Sequence, residues 1–169
     1  MRAMDEHGWR VDDATGSEHE LRALLYALVR MLKPSLVVET GCYRGWATEA
    51  LGIACRENDQ GRVVACDTNQ ACVEEATRLT MMLPVDVYNC RGAELPELRT
   101  ADFVFCDSGY ADRMGEVVLC KAGAVVLVHD TELSYDSSVA PLKGPVRAMG
   151  GLCFPSHRGW ALLVVPGRC

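Results

Sequence analysis

Acids and glycines recur in this chain wherever an apolar run stops. Leu36-Val37-Val38 runs into Glu39-Thr40-Gly41-Cys42-Tyr43-Arg44-Gly45, and Arg62-Val63-Val64-Ala65-Cys66 runs into Asp67-Thr68. Further on, Phe103-Val104-Phe105-Cys106 stops at Asp107, and Ala124 through Val128 stops at His129-Asp130. Carboxylates accept hydrogen bonds and hold hard cations, and an imidazole titrates near neutral pH. The set therefore suits amines, ribose hydroxyls, divalent ions and proton transfer. Gly41 and Gly45 have no Cβ, so the chain can bend sharply there and let a ligand approach closely.

These groups act together only if the runs are neighbouring strands. The β-branched runs read as strands at 35–40, 62–67, 85–90, 103–106 and 124–128. Between them lie helices at about 45–57, from Asn69 to near Pro84, and at about 111–120. Before the first strand, Leu21, Leu24, Leu25, Leu28, Val29 and Leu32 repeat at helical spacing. Ser17 with Glu20 makes a capping box at the start of that helix, and Pro34 ends it. The stretch 131–145 reads as a loop, with a helical turn near 145–149. Segments 152–154 and 160–165 close the chain as a hairpin, with His157 and Arg158 solvated in its turn.

Continuous apolar strands alternating with helices predict an α/β fold: a Rossmann-like, doubly wound, mostly parallel sheet with a C-terminal antiparallel hairpin. Residues 1–16 are expected to form a flexible arm and 17–169 a single domain. In such a sheet ligands bind at the carboxyl ends of the strands, where Glu39, Asp67, Asp107 and His129-Asp130 gather.

Composition narrows the partners. The chain of 169 residues is 49% hydrophobic and 24% charged with net charge −6, ordinary for a soluble globular protein. It has no basic cluster, so nothing signals a nucleic-acid partner. No apolar stretch is long enough to span a membrane, and the start lacks a signal peptide's apolar centre, so a cytoplasmic protein is expected. Nine cysteines are scattered without a C-x-x-C pair, which reads as reduced thiols packed in the core.

The segment Glu39-Thr40-Gly41-Cys42-Tyr43-Arg44-Gly45, followed one helix later by a strand ending in Asp67, resembles class I S-adenosylmethionine-dependent methyltransferases. The resemblance implies that the Glu39–Gly45 loop cradles the methionine part of the cofactor and that Asp67, with Thr68 beside it, holds the ribose hydroxyls. The competing dinucleotide fingerprint G-x-G-x-x-G needs glycine where this chain has Tyr43. The likeness runs over roughly residues 35–131 and points to the catechol O-methyltransferase-like and cephalosporin-hydroxylase-type branch. Gly92-Ala93 resembles the pair that lines the adenine there, and the Asp102–Asp107 and Gly123–Thr131 segments resemble its next two strands.

The likeness implies an enzyme that methylates a hydroxyl or amine of a small molecule, and it leaves room for a homo-oligomer. His129 and Asp130 are the expected catalytic residues, His129 as general base. Asp107 and Tyr110 are expected beside the cofactor, Tyr110 either stacking on adenine or packing. Metal-dependent relatives hold a divalent cation at this place, and Asp107 with Asp130 could bind Mg2+ here. The chain departs from the pattern at the third ligand, which is Thr131 or His129, and at Ser108-Gly109-Tyr110, which lacks a histidine. Two alternatives stay open: a methyltransferase-fold module that binds cofactor without catalysis, and a nicotinamide-dependent oxidoreductase.

Overall fold

A computed structural model describes residues 16–132, 142–155 and 158–167. The expected N-terminal arm, apart from Gly16, and the tip of the C-terminal hairpin lie outside the described residues.

The order is α1 (His19–Leu32), β1 (Leu36–Thr40), α2 (Trp46–Glu57), β2 (Arg62–Asp67), α3 (Gln70–Thr80) and β3 (Val85–Asn89). Two 3-10 turns follow, Gly92–Glu94 and Pro96–Arg99. Then come β4 (Phe103–Cys106), α4 (Arg113–Leu119), β5 (Val125–His129), α5 (Lys143–Ala148), β6 (Leu152–Phe154) and β7 (Trp160–Val164). The sheet has the order β3-β2-β1-β4-β5-β7-β6. The first five strands are parallel, and β7 pairs antiparallel with both β5 and β6. The expected α/β sheet with its antiparallel hairpin is what forms.

Alternation along each strand builds two cores, one on each face. Val37, Val63, Phe103 and Leu127 pack against Leu21, Leu25 and Val29 of α1 and Leu51 and Ala54 of α2. Their neighbours Val38, Val64, Val104 and Val126 face the other way, against Leu98, Val117 of α4 and Val146 of α5. Burial on both faces explains why the strands read as unbroken apolar runs rather than alternating ones.

The start of α1 departs from expectation. Glu18 is the N-cap residue, and no side chain caps the helix there. Instead of closing a capping box, Ser17 and Glu18 turn their side chains toward Asp107 and His129 at the ends of β4 and β5. Among the described residues eight cysteines are free thiols, and five of them, Cys42, Cys55, Cys66, Cys106 and Cys120, are buried.

Candidate functional site

The order of strand addition reverses beside β1, because β1 connects outward to β2 on one side while β4 joins it on the other. At such a switch point the loops leaving neighbouring strands diverge and leave a crevice. A cavity of about 400 Å³ occupies it here. Its wall includes Gly41 and Tyr43 after β1, Asp67 and Thr68 after β2, and Gly92 after β3. Across from these stand Asp107 and Ser108 after β4, and Asp130 after β5.

The glycine loop has the shape its sequence suggested. Gly41 has φ +80°, and a Cβ there would lie 2.4 Å from the backbone oxygen of Asp107. Only glycine allows the β1 and β4 loops to come so close. Gly45 has a different task. Its φ is +85°, and a Cβ would meet Cα of Ala76 at 2.7 Å, so it lets α2 start tight against α3 rather than touching the cavity.

Asp67 accepts the backbone N–H of Tyr43 on Oδ2 and that of Asn69 on Oδ1, both at 2.9 Å. Each carboxylate oxygen keeps a second lone pair for a ligand. Glu39 and Thr40 stand behind the wall. Glu39 is 1% exposed, and its Oε2 has no hydrogen-bond partner among the described residues. Burial pushes its pKa up to about 8. Thr40 is fully buried and donates to Glu116. Gly92 lines the cavity while Ala93 points to solvent. Tyr110 packs against the α4-side core, and its hydroxyl accepts the N–H of Leu142 at 3.0 Å. Of the two expectations for Tyr110, packing is the one the contacts describe.

A cluster of six charged groups lies at the far end, where Asp107, Arg113, Asp130 and Arg158 line the cavity and His129 and Glu18 stand behind them. His129 is 1% exposed, with Nε2 2.9 Å from Glu18 Oε2 and Nδ1 3.0 Å from Asp107 Oδ1. Burial alone would lower its pKa, but the charge and hydrogen bond of Asp107, with Glu18 and Asp130, outweigh that and raise it to about 9. The raised pKa favours the imidazolium form, and both ring nitrogens lie within 3.0 Å of a carboxylate oxygen. The residue expected as general base thus sits among three carboxylates, which favour its protonated form.

Asp130 is the residue they converge on. It sits at φ 55°, an uncommon conformation for a side-chain-bearing residue. Arg158 donates to it from Nε at 2.6 Å and from Nη2 at 3.0 Å, the bidentate geometry a guanidinium favours. Burial works to raise the Asp130 pKa, but His129, Arg158 and Arg113 prevail and hold it below the ordinary value. Arg158 also donates to the backbone oxygen of Gly16 at 2.7 Å. The reading of Arg158 as a solvated turn residue is overturned: it is 7% exposed and ties Gly16 to Asp130.

Nη2 of Arg113 lies 3.2 Å from Asp107 Oδ1 and 3.2 Å from Asp130 Oδ2. Its Nε and Nη1 donate to the backbone oxygens of Ser108 and His129. Oxygen or nitrogen atoms of Asp107, His129 and Asp130 do gather within 4.8 Å of one another, close enough to share an ion. Yet Asp130 has both oxygens bonded to guanidinium groups, and the gap between the two carboxylates is filled by Arg113. Three acids (Glu18, Asp107, Asp130) meet three cations (His129, Arg113, Arg158), so the cluster balances its own charge. This donor set does not fit Mg2+, which demands several uncommitted oxygens in octahedral array. In this arrangement Arg113 bridges the two carboxylates expected to hold a metal.

Arg113, Arg158, Glu18 and Glu116 all escaped the sequence reading. Arg113 follows Asp107 by less than two helical turns, and no spacing rule marks it. Glu18 was hidden by a helix-start pattern that the fold does not use.

No family model matches the sequence, and no curated protein matches it. The three-dimensional likeness is extensive. An O-methyltransferase of Streptomyces achromogenes involved in tomaymycin synthesis, solved with S-adenosylmethionine, superposes with a TM-score of 0.71 at 20% identity. That match covers 90% of this chain and 82% of the other. An O-methyltransferase of Bacillus cereus in complex with the demethylated product gives 0.68 at 17% identity, covering 90% and 84%. A methyltransferase of Geobacter sulfurreducens gives 0.70 at 21% identity, covering 89% and 80%. The chain thus has the fold of S-adenosylmethionine-dependent O-methyltransferases, with its cavity at the switch point of that fold.

Proposed function

We propose that this protein binds S-adenosylmethionine in the switch-point cavity and transfers its methyl group to a hydroxyl or amine of a small molecule. One observation carries the reading: the glycine turn of β1 and the carboxylate of Asp67 stand side by side on a cavity of about 400 Å³. S-adenosylmethionine, when bound, supplies a methyl carbon on a sulfonium that an oxygen or nitrogen lone pair can displace in line.

In this reading Asp67 takes the ribose hydroxyls, Gly41 lets the cofactor lie against backbone, and Glu39, buried behind that turn, ionises to pair with its ammonium group. The work left to the protein is mainly positioning, which converts a bimolecular encounter into a local one. A hydroxyl acceptor also needs a proton removed. Asp107 lines the cavity, and its Oδ2 has only a long contact with Ser17, at 3.5 Å, as a side-chain partner among the described residues. Asp107 is the proton acceptor in this scheme; His129 and Arg113 hold it in place, and Asp130 in turn holds Arg113. Magnesium has no part in it. The reduced thiols suit a cytoplasmic location, and homo-oligomerisation stays compatible with the scheme.

A second reading, a cofactor-binding module without transfer, draws support from the same cluster, since both nitrogens of His129 face carboxylates rather than the cavity. Calorimetry with S-adenosylmethionine, its demethylated product and NAD separates the cofactor classes. Release of the demethylated product over a panel of small phenols, alcohols and amines then separates enzyme from module. Binding of NAD without S-adenosylmethionine would overturn both readings.

A further inference from the structure

The gap between the carboxylates of Asp107 and Asp130 suits a cation, and a side chain fills it. One ligand atom each from Asp107, His129 and Asp130 lies within 4.8 Å of the others, a span that a single ion can touch. Arg113 opens α4, is 5% exposed, and places Nη2 3.2 Å from Asp107 Oδ1 and 3.2 Å from Asp130 Oδ2. Its Nε donates to the backbone oxygen of Ser108 at 2.8 Å, and Nη1 to that of His129 at 2.5 Å. The ring of Tyr110 lies 5.8 Å from the guanidinium carbon, within cation–π range. Two backbone oxygens, two carboxylates and a ring hold this charge in one place.

Arg158 does not do the same work. It hydrogen-bonds Asp130 and Gly16 and, among the described residues, not Asp107, so Arg113 is the arginine that spans the gap. We infer that Arg113 is a built-in counter-ion that keeps divalent cations out of this site, and that the site binds one once the guanidinium is removed. Two carboxylates this close repel until a positive charge lies between them. A guanidinium supplies that charge through N–H groups, and a divalent ion would supply it through bonds to the same oxygens, completed by water. The arginine is part of the chain and is present at every ion concentration. Without it, Glu18, Asp107 and Asp130 exceed His129 and Arg158 by one charge, at a point on the cavity wall that water can reach.

Mn2+ is the probe, because its paramagnetic resonance signal falls on binding. It is titrated near neutral pH, without cofactor, into full-length wild type, Arg113→Ala, Arg113→Gln and Arg113→Lys, with melting temperatures recorded alongside. Arg113→Ala and Arg113→Gln should each take up one Mn2+ per chain, roughly 10-fold or more tighter than any uptake by the wild type. Both should melt below the wild type and regain part of the loss when Mn2+ is added. Arg113→Lys keeps a positive charge at the gap and should exclude the ion as the wild type does. Adding Asp130→Asn to Arg113→Ala should abolish uptake, which places the ion between the two carboxylates.

Stoichiometric Mn2+ on the wild type that Asp130→Asn removes would overturn the inference, since the guanidinium would then move aside for an ion. Folded Arg113→Ala and Arg113→Gln proteins that take up no Mn2+ would overturn it too, as would equal uptake by Arg113→Lys. Variants that fold neither with nor without Mn2+ count against it, because an ion that fits the gap restores the missing charge. None of these results bears on the cofactor reading, since no cofactor enters the titration.

Discussion

Asp107 and Asp130, at the ends of two neighbouring parallel strands, share one nitrogen: Nη2 of Arg113 stands 3.2 Å from an oxygen of each. Two carboxylates brought this close repel unless a proton or a cation lies between them. Here the cation belongs to the chain, with Arg158 and the imidazolium of His129 completing the balance. The site is set for charge neutrality before any ligand arrives.

A chelator in excess is therefore expected to leave cofactor binding, any methyl transfer and the melting temperature unchanged, and added Mg2+ should raise none of them. Metal analysis of the purified protein should find no stoichiometric divalent ion. Activity that vanishes with chelator and returns with Mg2+ would show that Arg113 moves aside for an ion.

Arg158→Met removes two charge-assisted bonds from buried Asp130 and one from the backbone of Gly16. Breaking one partner of a buried pair leaves an uncompensated charge, so unfolding in urea should show a loss of about 3 kcal/mol. A loss below about 1 kcal/mol would mean that Arg113 alone satisfies Asp130.

Stability should fall in alkali. The folded state holds the His129 proton up to about pH 9, whereas an ordinary histidine releases it near 6.5. Glu39 likewise holds its proton up to about pH 8 against an ordinary 4.5. Both pKa values are raised on folding, so both contributions are complete below the unfolded values and disappear as pH climbs through the folded ones. Asp130 and Glu18 have lowered pKa values, and their contributions disappear on the acid side. The melting temperature should peak near pH 5 to 6 and decline toward about pH 9.5, less steeply in His129→Gln. An alkaline limb of the same slope in that variant would remove His129 from the account.

Gly41→Ala meets two obstacles at once, a left-handed backbone and the Asp107 carbonyl oxygen at 2.4 Å. It should cost about 2 kcal/mol or more and displace the β4 loop, weakening cofactor binding as well. Asp67→Ala should instead spare much of the stability but weaken S-adenosylmethionine by about 1–3 kcal/mol. Calorimetry on both variants distinguishes a backbone constraint from a ligand contact, and unaltered affinity in Asp67→Ala would take that residue out of the site.

What the sequence determined by itself was whatever depends on neighbours along the chain. The β-branched runs predicted five parallel strands, and the acids that end them predicted which edge of the sheet binds ligand. Glycine at 41 and an acid at 67 marked the crevice before any coordinate, because a tight turn and a strand end are local events. The partners of those acids are not local. Glu18 precedes the first helix, Arg113 and Glu116 lie on α4, and Arg158 follows β6, so only the closing of the sheet brings them to His129, Asp130 and the cavity wall. A carboxylate at a strand end looks the same in sequence whether magnesium or a guanidinium will neutralise it. The tertiary structure decides, because burial makes an unpaired charge costly and the nearest cation that packing supplies is the one that stays.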